Sequence, residues 1–153
     1  MPKFEVVTDE HRKNKTAILP TRSTQHSAGY DFAVDFEIKL QPKSYTELMF
    51  TDIKAKMNDD EVLMLYIRSS LGIKSGITLA NNTGIIDSDY YSNPNNDGNI
   101  GVKLYNNSNN EVTIPAGKPF MQGIFVKYIT TDDDKTTSIR DGGFGSTDNK
   151  EAA

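Results

Sequence analysis

The chain has 153 residues, 36% of them hydrophobic and 25% charged, which is the length and composition of one globular domain. Its net charge of −4 argues against a protein that coats nucleic acid or an anionic membrane, because such proteins carry a basic excess. The chain contains no cysteine, which excludes disulfides, thiolate metal sites and cysteine nucleophiles and fits a cytoplasmic location.

The predicted secondary structure consists of short strands separated by turns. The strands are rich in Val, Ile, Tyr, Phe and Thr. In chain order they are expected at residues 4–7, 31–40, 45–50, 62–67, 77–79, 100–105, 112–114 and 120–128. In the second strand, apolar residues alternate from Phe32 to Leu40, which places them on one face. No long segment has helical periodicity, so the pattern predicts an all-β fold, a jelly roll or distorted antiparallel barrel.

Beyond the last predicted strand the chain changes character. Residues 1–130 are predicted to form the β domain, and residues 131–153 an acidic linker followed by a glycine-rich C-terminal arm. The arm has Gly142, Gly143 and Gly145 around Phe144, and glycines are costly to order but allow a close approach to a ligand. A frayed C terminus is the alternative interpretation.

Polar clusters at strand ends are the candidates for chemistry. Residues 68–72 (Arg-Ser-Ser-Leu-Gly) follow the most apolar strand and combine a guanidinium with two hydroxyls, which suits phosphate. Asp87 follows two isoleucines that we expect to be buried, where desolvation would favour a general base. The structural alternatives are a turn cap for Asp31, a surface ion pair for Arg68, a turn acid for Asp87 and a core position for Tyr90.

Taken in order, five segments resemble the five motifs of the homotrimeric dUTPases. They are residues 28–31 (Ala-Gly-Tyr-Asp), 68–72, 84–90 (Gly-Ile-Ile-Asp-Ser-Asp-Tyr), 117–122 and 142–147 (Gly-Gly-Phe-Gly-Ser-Thr). Residues 19–21 (Leu-Pro-Thr) also resemble the family, so the resemblance covers the chain from about residue 19 to residue 147.

The resemblance implies a jelly-roll subunit of a homotrimer that hydrolyses dUTP to dUMP and pyrophosphate, with three active sites each built from all three chains. In that family, the aspartate that matches Asp87 orients and deprotonates the water that attacks the α-phosphorus. The tyrosine that matches Tyr90 packs against deoxyribose and excludes a 2′-hydroxyl. The implied cofactor is Mg²⁺, held by the substrate phosphates and water without direct protein ligands. Nucleic acid and membranes are not expected partners.

The same resemblance implies which residues bind the nucleotide. The hairpin of residues 77–86 contacts uracil largely through backbone groups, and Phe144 stacks over the base. Arg140, Ser146 and Thr147 hold the β- and γ-phosphates, and Asp31 has a supporting role. The predicted substrate-binding residues are Arg68, Ser69, Ser70, Asn81, Gly84, Ile86, Tyr90, Gln122, Arg140, Phe144, Gly145, Ser146 and Thr147.

The chain departs from the family pattern in four places, one of which is Asp148, where the family usually has a glycine after the fifth motif. Lys118 and Pro119 stand where the fourth motif usually has an acid and an arginine, so only Gln122 is carried over there. Arg140 is one residue closer to the arm's phenylalanine than is usual. After Tyr90, residues 92–98 lengthen a turn that is short in the family, and this insertion is expected near the mouth of the site.

Two other functions stay open at this point. A dCTP deaminase has a related fold but needs a glutamate-centred site, whereas the third motif here contains Asp87 and Tyr90. A regulatory protein on the same fold is the other alternative, because phage-encoded members of the family act on partner proteins. The insertion at residues 92–98 is where a protein partner is expected, and the sequence leaves a phage or chromosomal source open.

Overall fold

The computed structural model describes residues 1–148, and its regular structure consists almost entirely of short β-strands. The strands are β1 (Lys3–Val6), β2 (Thr21–Arg22), β3 (Tyr30–Phe32), β4 (Ile38–Leu40), β5 (Ser44–Tyr45), β6 (Met49–Phe50), β7 (Ile53–Lys56), β8 (Glu61–Ile67), β9 (Ile77–Leu79), β10 (Gly84–Asp87), β11 (Gly101–Val102), β12 (Leu104–Asn106), β13 (Val112–Ile114) and β14 (Met121–Lys127). One-turn helical segments occur at Asp9–His11, Ser70–Lys74 and Ser88–Tyr90. The all-β prediction is confirmed.

Every strand pair in the described chain is antiparallel, and the largest sheet has five strands in the order β10-β8-β14-β3-β2. Its centre is the seven-residue pairing of β8 with β14, from Met121 opposite Ile67 to Lys127 opposite Glu61. A three-stranded sheet has the order β5-β12-β9, and three two-stranded sheets complete the fold. These sheets enclose one apolar core.

The predicted strand at residues 31–40 is two strands. β3 ends at Phe32 and pairs with β14, whereas β4 begins at Ile38 and pairs with β13 in another sheet. Between them Ala33 and Val34 are both buried, and the Val34 carbonyl accepts a hydrogen bond of 2.7 Å from the N–H of Gly117. The apolar alternation correctly placed Phe32, Val34 and Ile38 inside, but it did not reveal where the chain leaves one sheet for the next.

Two further predicted strands, at residues 45–50 and 100–105, are also divided between sheets, whereas β7 was not predicted at all. The strand was not predicted because its two lysines interrupt the apolar pattern. One of them, Lys54, is nevertheless buried, because its ammonium lies 2.9 Å from the carboxylate of Asp97. At the other end of the chain, β14 ends at Lys127, and the domain boundary at residue 130 stays a prediction. Within residues 1–148 no helical segment has the length and hydrophobicity needed to cross a bilayer.

Candidate active site

A cavity of about 320 Å³ opens between β9 and β10. The family resemblance implied a hairpin of residues 77–86 here, and the structure shows that its two strands do not pair with each other. β9 pairs with β12 and β10 pairs with β8, so the two strands belong to different sheets and splay apart. Asn82, with a φ of 63°, turns the chain between them, and its N–H donates a hydrogen bond of 3.0 Å to the Leu79 carbonyl. The volume lies near the lower end of the range for small-molecule pockets, about 300–1,000 Å³.

The floor of this cavity is apolar and its rim includes three of the predicted substrate-binding positions in or beside β10. Core side chains form the floor, namely Leu65, Leu79, Val102 and Met121. Asn81, Gly84 and Ile86 line the opening. Phe144 lies across it from the arm, and a Cβ added to Gly101 would come within 3.1 Å of the phenyl ring. The absence of a side chain at Gly101 therefore allows the ring to sit on the backbone beside the cavity.

Asp87 ends β10 beside a second, smaller cavity of about 160 Å³. Its carboxylate accepts a hydrogen bond of 2.7 Å from Nη2 of Arg140, whose Nε donates another of 2.7 Å to Asp89. The side chain of Asp87 is 52% exposed. Ile85, which we expected inside, is 53% exposed, so the desolvation expected around Asp87 is absent in the single chain.

Tyr90 is buried and also lines the smaller cavity, so its core and functional interpretations are compatible. The residue is 7% exposed. Its hydroxyl donates a hydrogen bond of 2.9 Å to the Asn99 carbonyl and accepts one of 2.8 Å from Nδ2 of Asn96. Burial raises the pKa of Tyr90 above its ordinary value, and the hydrogen bond from Asn96 and the charge of Arg140 oppose that rise. The phenol is therefore neutral near pH 7.

The arm lies against the Asp87 side of its own chain. Phe144 is 65% exposed but lines both cavities, and Gly145 and Thr147 line the smaller one. Ser146 instead donates its hydroxyl hydrogen to the Gly142 carbonyl at 3.1 Å. Four of the five predicted arm residues therefore line the cavities, namely Arg140, Phe144, Gly145 and Thr147. Ser146 forms a turn within the arm.

Asp31, Arg68 and Gln122 form a second group on neighbouring strands of the large sheet. Gln122 faces Asp31 across β3 and β14, and its side chain lies against the backbone of Gly29. Nε of Arg68 lies 3.2 Å from the carboxylate of Asp31, which is the ion pair considered as the structural alternative for Arg68. Ser69 and Ser70 follow directly and are exposed. We call these residues the phosphate-side group.

The phosphate-side group and Asp87 lie at opposite ends of β8. Asp87 pairs with Val62 near the start of that strand, whereas Arg68 follows Ile67 at its end. Six residues at about 3.3 Å each separate Val62 from Arg68, which places the backbone of Arg68 about 20 Å along the strand from that of Asp87. Within one chain the structure therefore assembles two partial sites from the predicted residues and does not bring them together.

A family model of dUTPases matches residues 15–148, which includes both partial sites and the arm. The chain belongs to the dUTPase family.

Named relatives cover nearly the whole chain. A deoxyuridine 5′-triphosphate nucleotidohydrolase of Lactococcus lactis subsp. lactis is 42% identical over 146 residues, 94% of this chain and 95% of the relative. One from Escherichia coli O9:H4 is 33% identical over 153 residues, 95% of this chain and 97% of the relative. The crystal structure of the dUTPase from Streptococcus mutans has a TM-score of 0.71 at 38% identity and covers 85% of this chain and 98% of that one. A dUTPase from phage phi11 of S. aureus shares the fold at 18% identity, with a TM-score of 0.68 over 91% of this chain and 97% of that one.

Sequence reasoning missed several residues that this dUTPase fold brings to the site. Asp89 binds Arg140, and its position two residues after Asp87 was the available signal. Lys103, the residue between β11 and β12, lines the larger cavity. Asn96 binds the hydroxyl of Tyr90 from within the insertion. Nothing in the asparagine-rich composition of that loop indicated such a contact.

No cluster of three acidic or histidine side chains that could hold a metal ion occurs within residues 1–148. Asp87 and Asp89, the two carboxylates nearest the cavities, both bind Arg140. The residues present therefore do not form a cage for a divalent cation. They are compatible with an ion that arrives on a nucleotide, because Mg²⁺ commonly keeps its waters and binds phosphate oxygens.

Proposed function

We propose that this chain hydrolyses dUTP to dUMP and pyrophosphate, which keeps uracil out of DNA and supplies dUMP for dTMP synthesis. Membership of the dUTPase family supports the activity. The observation that carries the proposal is the position of Asp87 between a base-sized cavity and the arm, with Tyr90 and Phe144 beside it. A carboxylate there can act on a water molecule while the base is held a short distance away.

In the proposed mechanism Asp87 orients a water molecule and accepts its proton as the oxygen attacks the α-phosphorus. The bond from that phosphorus to the bridging oxygen breaks, and pyrophosphate leaves. Such chemistry requires positioning and charge neutralisation and little covalent participation by the protein. Arg140 supports this role, because its guanidinium already lies beside Asp87 and can transfer its hydrogen bonds to phosphate oxygens.

The proposed selectivity comes from the two cavities. Uracil would occupy the larger one, with Asn81 at its rim and Phe144 stacked over it, and the rigid strand ends would leave no room for a 5-methyl group. The ring of Tyr90 would lie against the deoxyribose. Because this ring is buried and hydrogen-bonded at its hydroxyl, it cannot easily move aside for a 2′-hydroxyl.

The proposed active enzyme is a homotrimer with shared sites. The separation of about 20 Å along β8 supports this, since one triphosphate cannot touch Asp87 and the phosphate-side group of the same chain. A head-to-tail ring brings opposite ends of neighbouring subunits together. Thirteen residues lead from Lys127 at the end of β14 to Arg140, roughly 45 Å when extended, so in the trimer the arm is long enough to make with a neighbouring subunit the same contacts that it makes here with Asp87 and Asn96 of its own chain.

Mg²⁺ is part of the proposal as an ion that would arrive with the nucleotide and would neutralise charge on the leaving pyrophosphate. In this chain Arg68, Ser69 and Gln122 would contact the phosphates from the phosphate-side group. A cytoplasmic location belongs to the same proposal, because the deoxynucleotide pool is there. A protein partner at residues 92–98 stays a prediction, and in that loop only Ser92, Pro94 and Asn95 are exposed.

Product analysis tests the function directly. The protein is incubated separately with dUTP, dCTP, dTTP and UTP, each with Mg²⁺, and the products are separated by ion-exchange chromatography. We expect dUMP and pyrophosphate from dUTP, with far slower turnover of the other three. Formation of dUTP and ammonia from dCTP would indicate a deaminase. Tight dUTP binding without turnover would indicate a regulatory protein.

A further inference from the structure

The insertion at residues 92–98 folds back on Tyr90 and holds it at two points. Nδ2 of Asn93 donates a hydrogen bond of 2.8 Å to the Tyr90 carbonyl, and Nδ2 of Asn96 donates one of 2.8 Å to the Tyr90 hydroxyl. Oδ1 of Asn96 accepts hydrogen bonds from Nδ2 of Asn93 and from the N–H of Gly98. Because both ends of the Asn96 amide have partners, the orientation of that side chain is fixed.

A buried ion pair anchors this loop to the domain. Both carboxylate oxygens of Asp97 lie 2.9 Å from the ammonium of Lys54, and one also accepts a hydrogen bond of 2.8 Å from the N–H of Thr8. The side chains of Lys54 and Asp97 are 9% and 11% exposed. Ser92 and Asp97 adopt left-handed conformations, with φ of 54° and 59°, which the anchored loop enforces. The loop is therefore a fixed support for Tyr90.

The arm touches this support through Gly143, which is buried. A Cβ added to Gly143 would lie 3.2 Å from Nδ2 of Asn96, 3.5 Å from Nδ2 of Asn95 and 3.7 Å from Cε2 of Tyr90. The first distance is tighter than an ordinary van der Waals contact and the other two are not. The arm backbone consequently rests on the amide group that binds the Tyr90 hydroxyl.

We propose that Asn96 is a positioning residue that couples closure of the arm to the hold on Tyr90, and thereby to the choice between deoxyribose and ribose. The inference rests on the proposed function, in which Tyr90 faces the sugar. With the arm closed, Gly143 covers Asn96 and confines it to the rotamer that binds Tyr90. A 2′-hydroxyl that displaces the Tyr90 ring also displaces Asn96 toward Gly143, so a ribonucleotide opposes closure of the arm.

The first test compares Asn96→Ala with the matched control Asn95→Ala. Kcat and KM are measured for dUTP and UTP. For Asn96→Ala we expect the dUTP-over-UTP ratio of kcat/KM to fall roughly threefold to tenfold, the equivalent of one net hydrogen bond, with part of the change in kcat. Asn95→Ala should stay within about twofold of the unaltered protein, because its side chain does not hold Tyr90. Equal ratios in the two variants would overturn the proposal.

The second test uses Gly143→Ala, a change in the arm that leaves the domain intact. Its added methyl group meets Asn96, so we expect it to lower kcat/KM for dUTP. In an Asn96→Ala background, Gly143→Ala should lower kcat/KM for dUTP by a factor at least threefold smaller, because the obstructing amide is then absent. In an Asn95→Ala background, Gly143→Ala should lower kcat/KM as much as it does in the unaltered protein. Independent effects of Gly143→Ala and Asn96→Ala would contradict the coupling.

A third measurement does not depend on turnover. Trypsin cleaves after Arg140, and the rate of that cleavage is followed by mass spectrometry with and without an α,β-imido analogue of dUTP. We expect the analogue to slow cleavage after Arg140 in the unaltered protein and in Asn95→Ala. In Asn96→Ala the factor by which the analogue slows cleavage should be at least threefold smaller, although the melting temperature is unchanged. Equal protection of Asn96→Ala overturns this inference alone. If the unaltered protein is neither protected by the analogue nor active on dUTP, the proposed function fails and the inference fails with it.

Discussion

Nη2 of Arg140 lies 2.7 Å from a carboxylate oxygen of Asp87. The only arginine of the C-terminal arm thus binds the group that we propose to activate water, and its side chain is only 16% exposed. A nucleotide that enters the cavity presents phosphates that compete with Asp87 for this guanidinium. Under the proposed function, phosphates that bind Arg140 would free the Asp87 carboxylate and would keep the arm in place.

Asp87→Asn should abolish turnover and retain nucleotide binding. Loss of a general base lowers kcat by on the order of 10²–10⁴, whereas the amide keeps the size of the side chain. Steady-state kinetics with dUTP and calorimetric binding of the imido analogue measure the two effects. Asp89→Asn is the matched control. Asp89 also binds Arg140 but has no role in the proposed reaction, so we expect kcat of this variant to fall much less. A near-normal kcat for Asp87→Asn would remove Asp87 from its assigned role.

Tyr90→Ala should narrow the preference for dUTP over UTP, mainly through poorer use of dUTP. The ring is expected to occupy the volume that a 2′-hydroxyl needs, so its removal relieves a steric block. Tyr90→Phe keeps the ring but loses both hydroxyl hydrogen bonds, and it should retain more of the discrimination than Tyr90→Ala. Ratios of kcat/KM for the two nucleotides decide the matter. Unchanged discrimination in Tyr90→Ala would leave Tyr90 with a structural role only.

Deletion of residues 138–153 should lower kcat severely and leave the melting temperature and the assembly nearly unchanged. Stacking by Phe144 contributes roughly 1–3 kcal/mol, against a backbone ordering cost of roughly 1–2 kcal/mol for each residue. Arm closure should therefore depend on the phosphates of the nucleotide and should reverse after pyrophosphate leaves. Amide exchange in residues 140–148 should slow when the imido analogue binds.

A shorter deletion, of residues 149–153, spares all five motifs and serves as the control for the arm. It should keep full activity. If the longer deletion is equally active, or if amide exchange in the arm is the same with and without the analogue, the C terminus has no part in catalysis.

Mixed subunits should regain activity if sites are shared. Asp87→Asn and Arg68→Ala alter groups at opposite ends of β8, so a mixed trimer contains some sites in which both groups are intact. The two variants are mixed, unfolded, refolded together and assayed with dUTP. Asp87→Asn mixed with Tyr90→Ala is the control, since both residues belong to one end of one chain and cannot complement. Light scattering that shows a fully active monomer would refute the shared site.

Asp97→Asn should weaken the acid dependence of stability. Burial acts to raise the pKa of Asp97, but the N–H of Thr8 and the ammonium of Lys54 outweigh it and hold that pKa below its ordinary value. Because the pKa of Asp97 is lower in the folded state, this carboxylate stabilises the fold at pH values above its unfolded pKa, near 3.9. The stabilisation is lost as the pH falls through the pKa of the folded state. Urea unfolding between about pH 3 and pH 7 measures the slope.

The same substitution leaves the Lys54 ammonium without its charged partner, so at pH 7 we expect the free energy of unfolding to fall by about 3–5 kcal/mol. Asp60→Asn is the control, because Asp60 pairs with Lys127 on the exposed surface at 2.9 Å, where ion pairs contribute little. A pH dependence of Asp97→Asn identical to that of the unaltered protein would show that this ion pair does not set acid stability.

The sequence predicted the all-β class, and the ordered motifs include several of the residues that line the two cavities, because apolar alternation and short polar motifs are local signals. The breaks between β3 and β4 and the splaying of β9 from β10 depend on which distant strand each one joins, and no local pattern contains that information. The burial of Lys54 depends on Asp97, more than forty residues away in the sequence. Ile85 was expected inside because isoleucine usually is, but it lies on the outer face of β10, whereas Gly84 and Ile86 lie on the inner face.

The larger cavity shares its floor with the hydrophobic core of the domain. Leu65, Leu79, Val102 and Met121 form its floor, and the same side chains fill the centre of the domain. A substitution such as Leu79→Val therefore alters the shape of the cavity as well as the packing of the core. If the cavity holds the base as proposed, thermal stability and nucleotide selectivity are linked in this molecule, because a substitution that changes the packing of the floor also changes the shape of the binding cavity.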